Sequence, residues 1–392
     1  MVGGVPEDRI MKELELSGSF FEMGRQYGRG CRREIWVFSK AVQLMVALSE
    51  RPGADFFDPQ YRHVPRELMR FSKNRKRYRS QAREFVESIE THYPEGLDMM
   101  RGMAEGAKVD VEDLLFLNTA IEFTRGCTSF AAVGDATASG GPVLGMNADE
   151  AKGVERTEIV LRIRPDTGYA YTVCAMAGYL PFNFGMNEAG LTFMSHLLFL
   201  KPGSEAGVAA PMMLYFSVLN RCGSVAEAKA LLESLPCFGP GSIIYVADGE
   251  RFLRMETNAR VRDIEVVDEG IRWNAMEPQT AALAPLNAIP ALSEATSLFS
   301  KNRTTRLREL SIRHQGKLDA ETVQSILADH GNPQDATHMR SMCMHPRHAA
   351  GKQTCASMVA LPADKTCWFF EPNPCRNDSK QFTYGRTDPG IR

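Results

Sequence analysis

In the stretch "EFTRGCTSFAAVGD" (residues 122–135) a thiol, Cys127, directly follows a residue without a Cβ, Gly126. The nearest other cysteines, Cys31 and Cys174, are distant, and no C-x-x-C spacing occurs among the nine. Spacing therefore gives neither a metal site nor a redox pair around Cys127. Burial in a core is the ordinary fate of a cysteine. A chemical alternative stands beside it. The side chain of a Cys, Ser or Thr can attack the carbonyl before it, and an N-to-S shift followed by hydrolysis cuts the chain there. A preceding glycine permits the strained backbone that this attack needs. The product begins with cysteine, whose thiol is a nucleophile. Its own α-amine, with an unperturbed pKa of roughly 7.7–8.0, is a base. No histidine is required.

The elements that must position such a thiol change character at this point in the chain. Residues before 126 read mostly as helix: "YRSQAREFVESIETHY", "VEDLLFLNTAIEF", and a helix after a short extended piece near "SGSFFEMGRQYG", with Glu22, Met23 and the glycines marking the turn into it. After Cys127 the pattern is strands and turns. Hairpin signals fall at Pro165-Asp166-Thr167-Gly168, Asn187 to Gly190, Asp248-Gly249 and Glu269-Gly270. The helices "PMMLYFSVLNRC" and "SVAEAKALLESL", the latter capped by Ser224, interrupt the strands. Helices over 303–310 and 320–328 precede the closing strands "CASMVAL" and "TCWFFEP". This order predicts a layered α+β body.

The 392 residues carry 44% apolar and 24% charged side chains and a net charge of −2, the composition of a globular protein. Near-neutrality argues against nucleic-acid binding, which needs a concentrated basic surface. The run Arg70 to Arg83 is basic, but Glu84, Glu87 and Glu90 follow it, so it reads as the solvated face of a helix. No window of 18 apolar residues predicts a membrane span, and the N-terminus lacks the pattern of a signal peptide. With no framework spacing, the cysteines are expected as reduced thiols in a cytoplasmic protein.

Ordered pieces of the chain resemble the N-terminal-nucleophile (Ntn) hydrolases, specifically the acyl-coenzyme A:6-aminopenicillanic acid acyltransferase group, peptidase family C45. "GSFFEMGRQYG" is similar to its opening, "RGCTSF" to its Gly-Cys-Thr cleavage site, and "GPVLGMNADE" to its G-x-N-x-D segment. "FGMNEAGL", "IRWNAM", "FSKNRTTRLREL", "SMCMHP" and "TCASMVALPADKTCWFFEPNPC" follow in the family's order. The resemblance implies an αββα sandwich of two stacked antiparallel sheets between helical layers. It implies a cut between Gly126 and Cys127, giving an α chain (1–126) and a β chain (127–392) joined in one structural domain.

It also implies roles. Cys127 would be the nucleophile of both self-cleavage and catalysis, and Asp149 the acid that holds the freed α-amine near the thiol. Asn147, two residues earlier, is expected on the opposite strand face and is the poorer candidate. Asn274 would donate to the tetrahedral oxyanion. Two residues depart from the family's pattern: Ala275 follows Asn274 where the family commonly has histidine, and Met344 stands where it often has arginine, which bears on substrate binding. Arg303 at the Asn-Arg helix start, and Arg347 or Arg340 near "SMCMHP", are the candidate substrate-binding arginines.

Two other constellations compete. His330, His338, His345 and His348 accompany Asp329 and Asp335, but their spacing matches no zinc pattern, so no metal is expected. A Cys-His pair using His196 or His345 would leave Gly126 and Asp149 unexplained. The sequence thus predicts a self-processing hydrolase of N-acyl amides, needing no cofactor, with a small amide or acyl-thioester as its partner and neither nucleic acid nor membrane. Acyl transfer to an amine is the alternative within the same chemistry. An unprocessed binding protein of the same fold is the alternative outside it.

Overall fold

The computed structural model describes residues 11–49, 75–80, 82–120, 127–151, 154–180, 184–201, 217–237, 241–291, 294–331, 341–345 and 352–385. Their strands form two sheets. The larger runs β1 (Lys12–Gly18), β4 (Glu158–Pro165), β5 (Tyr171–Met176), β6 (Phe184–Asn187), β7 (Thr192–Leu197), β8 (Ser242–Ala247), β9 (Phe252–Thr257), β10 (Arg262–Val267). The smaller runs β11 (Gly270–Asn274), β2 (Thr128–Gly134), β3 (Gly140–Ala151), β12 (Lys352–Leu361), β13 (Thr366–Phe370), β14 (Ser379–Thr383). Neighbours are antiparallel except β1 and β4, which are parallel, a departure from the purely antiparallel sheets expected.

Three apolar clusters define the layers. One lies between the larger sheet and the helices α1 (Phe20–Gly30), α2 (Arg32–Ser49), α3 (Val86–His92), α4 (Pro94–Ala107), α5 (Val111–Ala120) and α6 (Val225–Ser234). A second, with Cys127, Ala131, Leu144, Met146, Tyr245 and Met358, lies between the sheets. The third joins the smaller sheet to α7 (Glu294–Arg313) and α8 (Ala320–Leu327) through Phe130, Val143, Leu307 and Val323. Strands such as β2, β3 and β12 feed two clusters because their side chains alternate between faces. The result is the αββα sandwich, with Cys127 on the inner side.

The hairpins at 165–168, 187–190 and 248–249 form as the turn residues predict. Ser224 caps α6, its Oγ accepting from Glu227 N at 3.2 Å. The turn at Glu269-Gly270 has a different outcome from the expected strand pair. β10 pairs with β9, whereas β11 crosses to the other sheet and pairs with β2. Gly270, at φ 95°, supplies the left-handed backbone for that crossing. Glu265 of β10 then accepts from Arg272 of β11 at 3.1 Å, tying the edges of the two sheets together.

The glycines after Glu22 do not mark a turn either; they lie inside α1. A Cβ on Gly24 would stand 2.1 Å from the Met99 carbonyl oxygen, and one on Gly28 2.2 Å from that of Met103. Gly102 and Gly106 of α4 meet Phe21 O and Arg25 O at 2.0 and 2.3 Å in the same way. Four glycines therefore let two helix backbones touch. In the described part of the basic run the arginines lie on a solvated helix face, as expected, and are paired there: Arg75 and Arg79 with Asp113 and Asp110, and Arg83 with Glu112. No described helix is long and apolar enough to cross a membrane.

Candidate active site

Cys127 immediately precedes β2, is 1% exposed, and packs among residues between the sheets. Its partners Ala131 and Val133 in that cluster show that odd-numbered positions of β2 face inward. Ser129, on the same face, is 2.8 Å from His196 Nε2 of β7, on the opposite sheet. Nδ1 of His196 faces the Leu197 carbonyl at 3.0 Å, which can only accept. Nδ1 therefore carries a proton, and in the neutral form of the ring Nε2 accepts from the Ser129 hydroxyl. Gly126 lies outside the described residues.

Asn274 closes β11 directly opposite Ser129, and so is a diagonal neighbour of Cys127 on the same face. It is fully buried and held at three points. Its Oδ1 accepts from the Tyr245 hydroxyl at 2.6 Å. Its Nδ2 donates to Glu256 Oε1 at 2.8 Å and, weakly, to the Glu277 carbonyl at 3.4 Å. Burial pushes the Tyr245 phenol well up, so it remains a donor. Glu256 also accepts from the backbone amides of Gln279 and Thr280, which fixes the carboxylate that aims the asparagine. The sequence names Asn274 as a candidate but not its partners Tyr245 and Glu256, because both come from the other sheet.

Asp149 lies on β3, and continuing the register Thr128↔Asn147 by one residue brings Cys127 level with Ala148. Ala148 faces the inner cluster, so Asp149 faces the helices. There its Oδ1 accepts from Thr354 Oγ1 at 2.7 Å, and its Oδ2 stands 2.5 Å from Arg303 Nη2. Asn147 shares this face, contrary to the expectation of opposite faces, since residues two apart in a strand point the same way. It donates to the carbonyls of Leu327 and Met342, each at 2.9 Å, and accepts from Ser357 Oγ at 2.6 Å.

Arg303 is not displayed toward a ligand. It is fully buried, and besides Asp149 it donates to the carbonyls of Ser341 and Met342, both at 3.1 Å. Arg347 and Arg340 lie outside the described residues, as do His338 and His348. Of the histidines set aside in the sequence, His330 and His345 do meet, in company with Cys343 and Cys375. Two further thiols near the inner face, Cys174 and Cys355, are pushed well up by burial and then by Glu158, so they stay protonated. None of the nine cysteines is disulfide-bonded.

A sandwich of two sheets between helical layers, with a cysteine opening an inward-facing strand, has the architecture of the N-terminal-nucleophile enzymes. The family model for acyl-coenzyme A:6-aminopenicillanic acid acyl-transferase matches residues 136–375, and the chain belongs to that family. That match contains Asp149, Asn274 and Arg303 and begins nine residues after Cys127. No curated protein matches the chain. Among solved structures, penicillin V acylase from Agrobacterium tumefaciens is 15% identical, with a TM-score of 0.43 over 67% of this chain and 87% of that one. The Caenorhabditis elegans ortholog of N-acylethanolamine-hydrolyzing acid amidase is 12% identical, with a TM-score of 0.42 over 60% and 93%. Conjugated bile acid hydrolase from Clostridium perfringens is 15% identical, with a TM-score of 0.36 over 67% and 98%.

Proposed function

We propose that the chain is a self-processing N-terminal cysteine amidohydrolase acting on an N-acyl amide. The observation that carries this reading is the shared inner face of Cys127 and Asn274: a thiol at a strand start, diagonal to a buried, pre-aimed amide donor. Cleavage after Gly126 frees the Cys127 α-amine. The neutral amine takes the thiol proton as sulfur attacks the acyl carbon. Negative charge then collects on the carbonyl oxygen. The 3.4 Å contact from Asn274 to Glu277 O is the weak one of its two donations, and an oxyanion would replace it. The leaving amine departs with the proton, and an S-acyl enzyme remains. Water, activated by the same α-amine, hydrolyses it.

The segments 1–126 and 127–392 stay together after the cut. β1 lies in register along β4 over seven residues, and the helices before Cys127 share one core with the larger sheet. Acyl transfer is the second reading, favoured by the description of the matched family; an amine in place of water would take the acyl group. The buried Asp149–Arg303 pair supports the strand beside Cys127, a positioning role in either reaction.

Intact mass and N-terminal sequencing of the purified protein test the processing. Two chains are expected, the second opening Cys-Thr-Ser-Phe, and Cys127→Ala should stay whole and inactive. A single chain with turnover, or a cut Cys127→Ala, would remove the proposal. N-acyl amides assayed with and without an added amine separate hydrolysis from transfer.

A further inference from the structure

Four side chains from three separated stretches converge on the helix-covered side of the smaller sheet. His330 follows α8, Cys343 and His345 lie in one short segment, and Cys375 sits in the turn Pro374–Arg376 between β13 and β14. Their ligand atoms all lie within 4.8 Å of one another. Cys343 Sγ is 3.6 Å from Cys375 Sγ and 3.6 Å from His345 Nε2. Cys375 Sγ is 3.4 Å from His345 Nε2, which is 2.9 Å from His330 Nε2. A tetrahedral zinc ion, with bonds of about 2.3 Å to sulfur and about 2.0 Å to nitrogen, sets its ligand atoms about 3.3–3.8 Å apart. Of the six separations among four ligand atoms, these three sulfur distances fall in that range, the His330–His345 pair must open by a few tenths of an ångström, and the two from His330 to the sulfurs lie within 4.8 Å, so His330 closes on the ion.

We propose that His330, Cys343, His345 and Cys375 bind one zinc ion in a closed Cys2His2 site. On binding, the two thiols each release a proton and form Zn–S bonds, and the two neutral imidazoles give their Nε2 lone pairs. The ion's two positive charges are balanced by the two thiolates. With four protein ligands no position is left for water or substrate, which makes the site structural rather than catalytic.

The surroundings hold the ligands in place. Asn373 Nδ2 donates to Cys343 Sγ at 3.4 Å and to the Met344 carbonyl at 2.7 Å. The backbone amide of Cys343 donates to the carbonyl of Asp329, the residue before His330, and Asp329 is itself paired with Arg306. The same short segment reaches the strand beside Cys127. Met344, between two of the ligands, donates its amide to Thr354 Oγ1 at 2.9 Å, and Thr354 donates to Asp149. Ser341 and Met342, just before Cys343, supply the carbonyls that hold Arg303. The ion therefore staples the segment on which the buried Asp149–Arg303 pair rests.

The test is elemental analysis of the full chain, purified under reducing conditions without chelator, with cobalt titration of the chelator-stripped protein. One zinc per chain is expected. Cobalt should give thiolate charge-transfer absorption and the intense visible bands of a tetrahedral site, reversed by zinc. Cys375→Ser and His330→Ala should each lose the metal, whereas Cys237→Ser, outside the cluster, should keep it. Chelation should lower the thermal midpoint of the wild type. Because the cobalt titration uses the wild-type chain, it decides even if the variants fail to fold. A metal-free protein that gives no tetrahedral cobalt spectrum would overturn the proposal. So would full metal retention in both ligand variants, or a Cys343–Cys375 disulfide as the purified form.

Discussion

Arg303 and Asp149 form an ion pair 2.5 Å apart with neither side chain exposed at all. Removing two charges from water costs several kcal/mol per ion, and only good geometry with further hydrogen bonds offsets it. Those bonds are present: Thr354 donates to the carboxylate, and the guanidinium donates to two carbonyls. A residue that the sequence suggested for substrate binding is thus a strut beneath β3, and the carboxylate suggested to hold the α-amine has Arg303 as its counter-ion.

Breaking that pair from one side leaves a buried charge. Asp149→Asn should therefore cost about 3–5 kcal/mol of stability, and both maturation and turnover should fall with it. The double variant Asp149→Asn, Arg303→Met should recover much of the stability but not the activity. Denaturant midpoints and cleavage extent for both single variants and the double variant check this. Additive losses in the double variant would mean that the two side chains do not act as a pair.

Close contact between α1 and α4 gives a prediction whose sign is informative. Alanine is better than glycine in a helix by about 1 kcal/mol, so propensity alone would make Gly102→Ala stabilising. The new Cβ, however, would stand 2.0 Å from the Phe21 carbonyl oxygen, and neither helix backbone can yield without parting. Overpacking of this kind costs about 1–3 kcal/mol or more, so the variant should unfold at lower denaturant. A stabilised Gly102→Ala would show that the helices are not in backbone contact.

These glycines also show where sequence reading stops. Local pattern made the strands and most hairpins legible, because alternation and turn chemistry are written in consecutive residues. It could not tell that Gly24 and Gly28 sit within a helix, since the reason is Gly102 and Gly106, more than seventy residues away. Glu269-Gly270 has the chemistry of a hairpin turn, yet pairing of Gly270 with Val133 sends the next strand to the other sheet. At the candidate site, motif order points to Cys127 and Asn274, and the fold puts both on the inner face. Tyr245 and Glu256 were not, because their partnership with Asn274 exists only once two sheets stack. In sequence, His330 and His345 stand among other histidines at spacings that suit no metal; folding brings them to two cysteines instead.

The crossing at Gly270 is pinned by Glu265, whose carboxyl is held below its usual range chiefly by hydrogen bonding from Arg272, with Arg254 adding to it. A depressed folded-state pKa contributes stability that is present above the unfolded value, about 4.3 for glutamate. It is lost as pH falls through the folded value. Glu265→Gln should thus be less stable than wild type near neutrality and equal to it in acid. Half-exposed pairs contribute roughly 0.2–1 kcal/mol, so the gap should be small and should shrink in salt. Thermal midpoints at two pH values and two salt concentrations measure it. A gap that persists unchanged in acid would assign the loss to packing.

The last prediction concerns how Asn274 is aimed. Its amide has one strong acceptor, Glu256, and one weak one, Glu277 O, while the Tyr245 hydroxyl fixes its oxygen from the facing sheet. Losing an oxyanion donor costs roughly 10²–10³ in turnover, or about 3–4 kcal/mol. Asn274→Ala should lose kcat on that scale with KM little changed, since the donor acts on charge that exists only in the transition state. Tyr245→Phe leaves the donor in place but frees its orientation, so a smaller loss of kcat is expected, again without a shift in KM. The ordering of the two variants is the informative quantity. If Tyr245→Phe loses as much as Asn274→Ala, the phenol itself is the donor to the oxyanion and the asparagine merely holds it. If both keep normal kcat once processed, charge stabilisation lies elsewhere on the inner face, and Ser129 with its His196 partner becomes the group to replace next.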